Sequence, residues 1–274
     1  MTTDIPNIDE LIAPTSWESV EFISDLHLSD ALPKTFLAWK RYMESTTANA
    51  VFILGDLFEA WIGDDVIRTD KVTHTSELNF EEQCAKVMQA TGQRLDLYLM
   101  HGNRDFLVGH RLLSHCNATL LNDPTVLIFQ DQRALLSHGD QLCLSDTQYM
   151  QYRSVVRQAK WIDEQLSKPI TVRREIAQHM RLQSEQTHLN TGNSSPNTYS
   201  IDVDATAVND WLAAAQANTL IHGHTHRPHN HSFSTPQAPH ALRIVLSDWD
   251  LDHPNKRAEI LRWDKQEFKR IAWQ

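Results

Sequence analysis

Residues 50–56 read AVFILGD, a run of five apolar residues that stops directly at a glycine and an aspartate. The same arrangement recurs at four other places: VEFIS before Asp25, LDLYLM before His101, ALLS before His138 and TLI before His222. Buried strands whose carboxyl ends present a functional site have this pattern. The sequence therefore predicts strands that deliver polar, metal-capable side chains to one edge of a sheet.

The segments around these runs predict the rest of the architecture. Residues 34–44 and 78–90 have helical patterns, which indicates α/β layering, and VLIF and ALLS on either side of residues 130–133 predict a hairpin. The final runs RIVL, AEILRW and FKRIAW predict a second, antiparallel set of strands behind the first. We expect an α/β fold, a four-layer αββα sandwich of two sheets flanked by helices.

One long segment does not show this alternation of strands and helices. From Asp146 to about Leu189 the apolar residues recur at spacings of three and four, as they do in amphipathic helices. The polar stretch TGNSSPNTYS at 191–200 then predicts a connecting loop. We therefore expect an N-terminal extension at 1–17 and one domain at 18–274, with a helical cap inserted at about 146–200.

Composition narrows the range of functions. The formal net charge of -10 argues against the broad basic field that nucleic-acid binding needs. Cys84, Cys116 and Cys143 lack the close spacing of a redox or zinc motif, and residues 1–17 do not resemble a secretory signal. We expect a cytoplasmic protein, on a membrane surface at most, and the sequence indicates no obligatory protein partner.

Five polar clusters follow the predicted strands: Asp25-Leu-His27, Gly55-Asp56, Gly102-Asn103-Arg104-Asp105, His138-Gly139-Asp140 and Gly223-His224-Thr225-His226. Their candidate ligands are two Asp, one Asn and four His side chains, which is enough for two divalent metals sharing a carboxylate. Mixed nitrogen and oxygen donors suit Mn, Fe or Zn better than Ca. Taken singly, Asp56 could cap a helix, Asn103 could form a turn and His138 could be a core histidine. Five clusters in order favour the metal site.

The order D-x-H, G-D, G-N, H and G-H-x-H, from about Ser19 to Ile260, resembles that of the calcineurin-like metallophosphoesterases. The resemblance implies an αββα fold and a dinuclear centre. The first metal would be held by Asp25, His27, Asp56 and His226. The second would be held by Asp56, Asn103, His138 and His224, so that Asp56 bridges the two.

The sequences that surround the clusters are similar to those of one branch of that family. ISDLHL, ILGDLFEAWIGDD, HGNRDFL, SHGDQLC and LIHGHTHRP resemble the pyrophosphatases that act on UDP-2,3-diacylglucosamine in lipid A biosynthesis. The resemblance implies two metals, most favourably Mn²⁺, and water attack at the α phosphorus, giving UMP and 2,3-diacylglucosamine 1-phosphate. Arg104 replaces the histidine of many phosphomonoesterases; an arginine cannot act as a general acid but can clamp phosphate oxygens. The expected catalytic residues are Asp25, His27, Asp56, Asn103, Arg104, His138, His224 and His226.

The resemblance also implies substrate contacts. They are Asn103, Arg104, Asp146, Ser184, Asn193 and His224. The family commonly has a lysine three residues after that asparagine, where this chain has Pro196. The basic residues of the cap, among them Arg173, Arg174 and Arg181, predict an exposed face that touches anionic lipid, placing the protein peripherally on the cytoplasmic side of the bacterial inner membrane.

Two other functions use the same pattern. A metal-dependent nuclease or phosphodiesterase would share the ligands but would need a broad basic groove. A non-catalytic scaffold of this class would have lost ligands, whereas all seven positions are filled here. Both are less favoured than the pyrophosphatase.

Overall fold

The computed structural model describes residues 5–68, 78–190, 201–235, 238–265 and 267–273, without the side chains of 181–190. Within these ranges the strands form two mixed six-stranded sheets. The first sheet has the order β12-β11-β2-β3-β4-β5 and contains β2 (Ser19–Ile23), β3 (Ala50–Leu54), β4 (Asp96–Met100), β5 (Ala118–Leu121), β11 (Glu259–Asp264) and β12 (Phe268–Ala272). The second has the order β1-β6-β7-β8-β10-β9 and contains β1 (Asp9–Ile12), β6 (Thr125–Phe129), β7 (Gln132–Ser137), β8 (Thr219–His222), β9 (His229–Phe233) and β10 (Ala241–Val245).

Helices cover the outer face of each sheet. Those before the cap are α1 (Pro33–Ser45), α2 (Phe80–Gly92) and α3 (His110–Cys116); α7 (Ala205–Ala215) follows it. On β3, Val51 and Ile53 join the core cluster that includes α1–α3, while Phe52 packs between the sheets with Leu136 of β7. On the far side, Leu135 packs in the cluster of α7. Alternate side chains of each strand therefore face different layers, and the predicted four-layer α/β sandwich is confirmed.

The predicted assignment of the last strands was wrong. β11 and β12 do not lie behind the early strands; β11 pairs antiparallel with β2, and β12 pairs antiparallel with β11. All five residues of β2 are buried, so an unpaired edge there would leave main-chain groups without partners. Only β10 of the three final runs lies in the second sheet, where it pairs parallel with β8.

The N-terminal extension contributes a strand. β1 pairs parallel with β6 at the edge of the second sheet, and Arg133 Nη2 is 2.5 Å from Glu10 Oε1. Trp17 is buried, with its ring centroid 6.3 Å from that of Phe52. The extension therefore completes a sheet edge.

The segment predicted to be helical contains three helices, α4 (Thr147–Val156), α5 (Ala159–Leu166) and α6 (Ile170–Asn190). Arg173 of α6 donates to the Ile62 carbonyl oxygen and forms an ion pair with Asp65. The neighbouring Asp64 accepts hydrogen bonds from the Gly109 and Leu112 main-chain N–H groups, which caps α3. Asp64 thus holds the N-terminus of the core helix α3, and Asp65 holds the cap helix α6. No helix in the described ranges has the length and apolar character needed to cross a bilayer.

Candidate metal centre

The chain turns sharply where the polar clusters follow their strands. Five candidate ligands have a left-handed main chain, with φ between 47° and 66°: Asp25, His27, Asp56, His224 and His226. This conformation costs a non-glycine residue about 1–3 kcal/mol, and it concentrates at functional sites where the surrounding fold enforces it. The main chain therefore places these side chains in spite of a cost in stability.

Glycines next to these residues allow a close approach between loops. Gly55 has φ 86°, and a Cβ atom there would lie 2.4 Å from Nδ1 of His138. A Cβ atom on Gly223 would lie 2.2 Å from a carboxylate oxygen of Asp25. Any larger residue at either position would push a candidate ligand out of place.

One group of possible ligands contains Asp25, His27 and His226. Nε2 of His226 is 3.4 Å from Oδ1 of Asp25 and 3.3 Å from Nε2 of His27. Two neutral imidazole nitrogens at this separation share at most one proton between them, and a cation between them would satisfy both lone pairs. The predicted ligands from the first and last clusters are thus brought together.

A second group contains Asp25, Asp56 and His138, so that Asp25 lies within reach of both groups. Oδ2 of Asp56 is 3.9 Å from Nε2 of His27 and 3.7 Å from Nε2 of His138. Among the described residues this buried oxygen has no hydrogen-bond donor. A buried carboxylate oxygen without a donor is costly unless a cation compensates it, so the position fits a metal-bridging ligand.

His138 is held with one nitrogen directed toward the centre. Its Nδ1 donates to the Leu54 carbonyl oxygen at 3.0 Å, so Nε2 is the nitrogen that can bind a metal when the ring is neutral. Nε2 of His138 and Nδ1 of His224 both lie 3.0 Å from Oδ1 of Asn103. These three predicted ligands therefore converge on one point from three different loops.

The electrostatics of the centre favour bound positive charge. Burial lowers the pKa of His138, but the nearby Asp56 and Asp25 carboxylates outweigh burial and raise that pKa to about 9. Burial raises the pKa of Asp56 to about 6, against the opposing effect of His138. The same attraction would act on a divalent cation held between these carboxylates. Donor types, burial and charge thus fit a pair of divalent metals.

Sequence reasoning missed two carboxylates behind the histidines. Oε2 of Glu59 is 3.2 Å from Nδ1 of His27, and Oδ2 of Asp248 is 3.6 Å from Nδ1 of His226. Carboxylates in this position orient metal-binding histidines and increase their basicity. Asp248 had a usable signal, since it follows the apolar run RIVL as the other clusters follow their strands.

Asp105 joins two of the loops. It is fully buried, and its carboxylate accepts hydrogen bonds from the Leu57 and Gly102 N–H groups, each at 2.8 Å. The N–H group of the preceding residue, Arg104, donates to Oδ1 of Asp56 at 2.8 Å. The loops after β3 and β4 are therefore tied together around the candidate bridging ligand.

The predicted substrate contacts in the cap are only partly visible. The Asp146 side chain accepts the Tyr149 N–H at 3.0 Å and so caps α4. Ser184 lies in the part of α6 whose side chains are not described, and Asn193 and Pro196 lie outside the described residues. The structure therefore assigns Asp146 a helix-capping role and leaves all three predicted contacts as predictions.

The prediction that the cap arginines form an exposed face was wrong for Arg173, whereas Arg174 is exposed. Arg173 is buried, with only 4% of its side chain exposed, because it pairs with Asp65 and caps a core carbonyl group. Nη1 of Arg174 is 3.0 Å from Oε1 of Glu81, and the side chain of Arg181 is outside the described set. Periodicity alone could not reveal that one of these arginines faces the core.

Comparison with known proteins agrees with these features. The sequence profile of the calcineurin-like phosphoesterase family matches residues 20–228, which include all five clusters. The UDP-2,3-diacylglucosamine hydrolase of Ralstonia nicotianae is 40% identical to this chain over 268 residues, which cover 95% of each protein. The protein of the same name from Chromobacterium violaceum is 39% identical, covering 84% of this chain and 90% of its own. The resemblance drawn from the motifs is confirmed.

Proposed function

Because this chain belongs to the calcineurin-like phosphoesterase family, and is similar over most of its length to UDP-2,3-diacylglucosamine hydrolases, we infer that it is a UDP-2,3-diacylglucosamine hydrolase of lipid A biosynthesis. One structural observation carries the reaction type. The buried Oδ2 of Asp56 lies between His27 and His138 with no hydrogen-bond donor among the described residues. A carboxylate oxygen in this position would suit a ligand that bridges the two metals of a hydrolytic centre.

We assign the ligands as the motif order implies. Asp25, His27, Asp56 and His226 would hold one metal, and Asp56, Asn103, His138 and His224 the other. When bound, such a pair supplies an activated water and neutralises phosphoryl oxygens. Asp25 belongs to both groups of possible ligands, which supports a compact centre in which Asp25 and Asp56 both lie close to the two metal positions.

The reaction would be an in-line displacement at the α phosphorus. A water oxygen attacks this phosphorus, and the bond from the phosphorus to the bridging oxygen breaks. UMP keeps the water oxygen, and 2,3-diacylglucosamine 1-phosphate leaves with the bridging oxygen. Asn103 and His224, whose polar atoms are 3.0 Å apart, would also contact the phosphoryl oxygens.

Arg104 would bind the phosphate groups rather than transfer a proton. Its guanidinium group stays protonated at any physiological pH, and its planar donors match phosphate oxygens. The leaving group is a phosphate ester whose second pKa is about 6, so charge neutralisation replaces protonation. The main-chain bond from Arg104 to Asp56 supports a fixed position for this residue beside the centre.

We propose Mn²⁺ as the bound metal. Imidazole nitrogen together with carboxylate and amide oxygen suits Mn, Fe or Zn, and among these the resemblance to the UDP-2,3-diacylglucosamine hydrolases favours Mn; the candidate ligand set contains no thiolate. The three cysteines are buried, and burial raises the pKa of Cys116 and of Cys143 to about 12, which favours their thiol forms.

We also propose that the cap recognises the substrate and touches an anionic membrane. Asp146, Ser184 and Asn193 remain the candidate contacts to the head group. Val155 and Leu166 are exposed apolar residues of the cap, and 86% of the Lys160 side chain is exposed. Apolar side chains beside a cation suit a lipid surface, and the diacylated substrate resides there. Sedimentation with anionic vesicles at low and high salt tests this contact; equal recovery at both, or no binding at low salt, would contradict it.

Product analysis tests the function directly. We expect mass spectrometry to find UMP and 2,3-diacylglucosamine 1-phosphate from UDP-2,3-diacylglucosamine with Mn²⁺, and neither product after chelation. In oxygen-18 water the label should appear in UMP; label in the sugar phosphate would place attack at the other phosphorus. Turnover of single-stranded DNA in place of the UDP-lipid would instead indicate a nuclease, and a protein without stoichiometric metal a scaffold.

A further inference from the structure

The first cap helix, α4, presents three long polar side chains on one face. Tyr149, Arg153 and Arg157, the residue that follows the last residue of α4, are spaced four residues apart, so they lie one above another along the helix and its C-terminal end. Together they contact the loops that carry His138 and Asn103 and approach His224. None of the three belongs to the ligand set assigned above.

Arg153 contacts the loop that carries His138. Its Nε donates at 2.8 Å to Oδ2 of Asp140, which is fully buried two residues after His138. The hydroxyl group of Tyr149 donates to the same carboxylate oxygen. Asp140 is thus a buried carboxylate that accepts hydrogen bonds from two side chains of one helix.

Arg157 contacts the loop that carries Asn103. Its Nη2 donates to the Gly102 carbonyl oxygen at 2.8 Å, and its guanidinium carbon lies 4.8 Å from the centroid of the Phe106 ring. Asn103 lies between these two contacts in sequence. A hydrogen bond on one side and a cation–π contact on the other restrict the loop on both flanks of the ligand.

Tyr149 approaches the third loop. Its ring centroid is 6.0 Å from that of His224, and its hydroxyl group is fixed by Asp140. By contrast, the histidines of the other group are supported from the core: Glu59 stands behind His27, and Asp248 behind His226. Residues of α4 therefore contact the loops around one metal position, whereas Glu59 and Asp248 contact the histidines of the other.

We propose that α4 is a positioning helix for the second metal position, the one assigned to Asp56, Asn103, His138 and His224, and that it leaves the first position largely unaffected. This inference rests on the ligand assignment in the proposed function. If it holds, weakening the contacts of α4 lowers the affinity for one metal rather than for both.

The experiment uses full-length protein treated with chelator and titrated with Mn²⁺ by isothermal calorimetry. The test variants are Arg157→Gln and Arg153→Gln, and the matched control is Arg174→Gln, a cap arginine that pairs with Glu81 away from the centre. Asn103→Ala and His27→Ala identify which binding step belongs to which position. Thermal unfolding by circular dichroism confirms that each variant is folded.

We expect the step assigned by Asn103→Ala to weaken about ten- to a hundredfold in both test variants, the range typical for loss of an outer partner of a ligand. The other step and the control should match the wild type. Folded variants that keep both affinities, or lose both equally, would overturn the inference. If Arg153→Gln does not fold because Asp140 loses its partner, Arg157→Gln alone decides. A wild type that binds fewer than two Mn²⁺ would contradict the ligand assignment itself.

Discussion

The loops that carry the candidate metal ligands and the helical cap lie side by side, but different kinds of contact hold them in place. The loops continue the main-chain pairing of the sheets: the Asp25 N–H donates to the Gly55 carbonyl oxygen, and the Trp249 N–H to that of Asp25. The cap is attached to the core by side chains, among them Arg153, Arg157 and Arg173. Main-chain hydrogen bonds hold a loop in place whichever side chain it carries, whereas each contact between the cap and the core is lost when one side chain is replaced.

This difference predicts how mutations act. A substitution in the loops should change chemistry because the scaffold persists around it. A substitution at a cap anchor should release a segment while the sheets remain intact. The following changes test that division, beginning with the largest expected effect.

Asp56→Ala should lower turnover of the UDP-lipid by at least about a thousandfold, comparable to or beyond the loss of one preorganised charge-stabilising group. The proposed bridging carboxylate is lost, so the bound metal measured by mass spectrometry should fall as well. Asp163→Ala, which removes an exposed carboxylate of α5, is the control and should retain activity. Two bound metals with full turnover in the Asp56 variant would disprove the dinuclear assignment.

Asp105→Asn keeps the shape of the side chain but replaces a buried acceptor of several main-chain N–H groups. The free energy of unfolding should fall by about 3 kcal/mol, because charge-assisted bonds to two loops are weakened. Activity should fall in parallel, since these loops flank Asp56. Urea unfolding and turnover measure both. Asp96→Asn, an exposed change on β4, serves as the reference; equal stability of the two variants would show that Asp105 does not join the loops.

Arg173→Gln should loosen the cap without unfolding the sheets. Loss of the ion pair to Asp65 and of the bond to Ile62 should cost about 1–2 kcal/mol locally, which corresponds to roughly tenfold faster proteolysis within the cap. Arg174→Gln is matched in charge but removes a half-exposed pair and should cleave like the wild type. Uniform cleavage across the sheets of the Arg173 variant would contradict a local anchor.

The smallest effect is an acid-sensitive contact of the core. The hydrogen bond from Arg68, with further donors from main-chain N–H groups, lowers the pKa of Glu82 from 4.5 to about 2. A lowered carboxyl pKa contributes stability above pH 4.5, and the contribution is lost as the pH falls toward 2. Because the Arg68 side chain is 47% exposed, we expect only about 1 kcal/mol. Urea unfolding between pH 5 and 3 should show this loss in the wild type but not in Glu82→Gln; parallel curves would contradict it.

The same division explains how far the sequence could be interpreted. The apolar runs that end at Asp25, Asp56 and His138 predicted which side chains gather at the ends of the strands. This was possible because the residue that follows a buried strand lies at the edge of the sheet. The layer occupied by β11 was misassigned, since pairing between distant strands leaves no local pattern. The exposed role of Arg173 was wrong for a related reason: its partner, Asp65, is remote in sequence.

The pairing of the outer strands also determines when the fold can form during synthesis. Phe22 of β2 pairs with Leu261 of β11, and Leu11 of β1 pairs with Leu127 of β6. A ribosome therefore releases most of the chain before β2 has its second neighbour, so the buried strand β2 remains at the edge of the first sheet until β11 has been made. Sheets with such non-local closure fold slowly and are open to aggregation in the interval. Production of this protein should thus depend on slow translation or on chaperones more than its final stability would suggest.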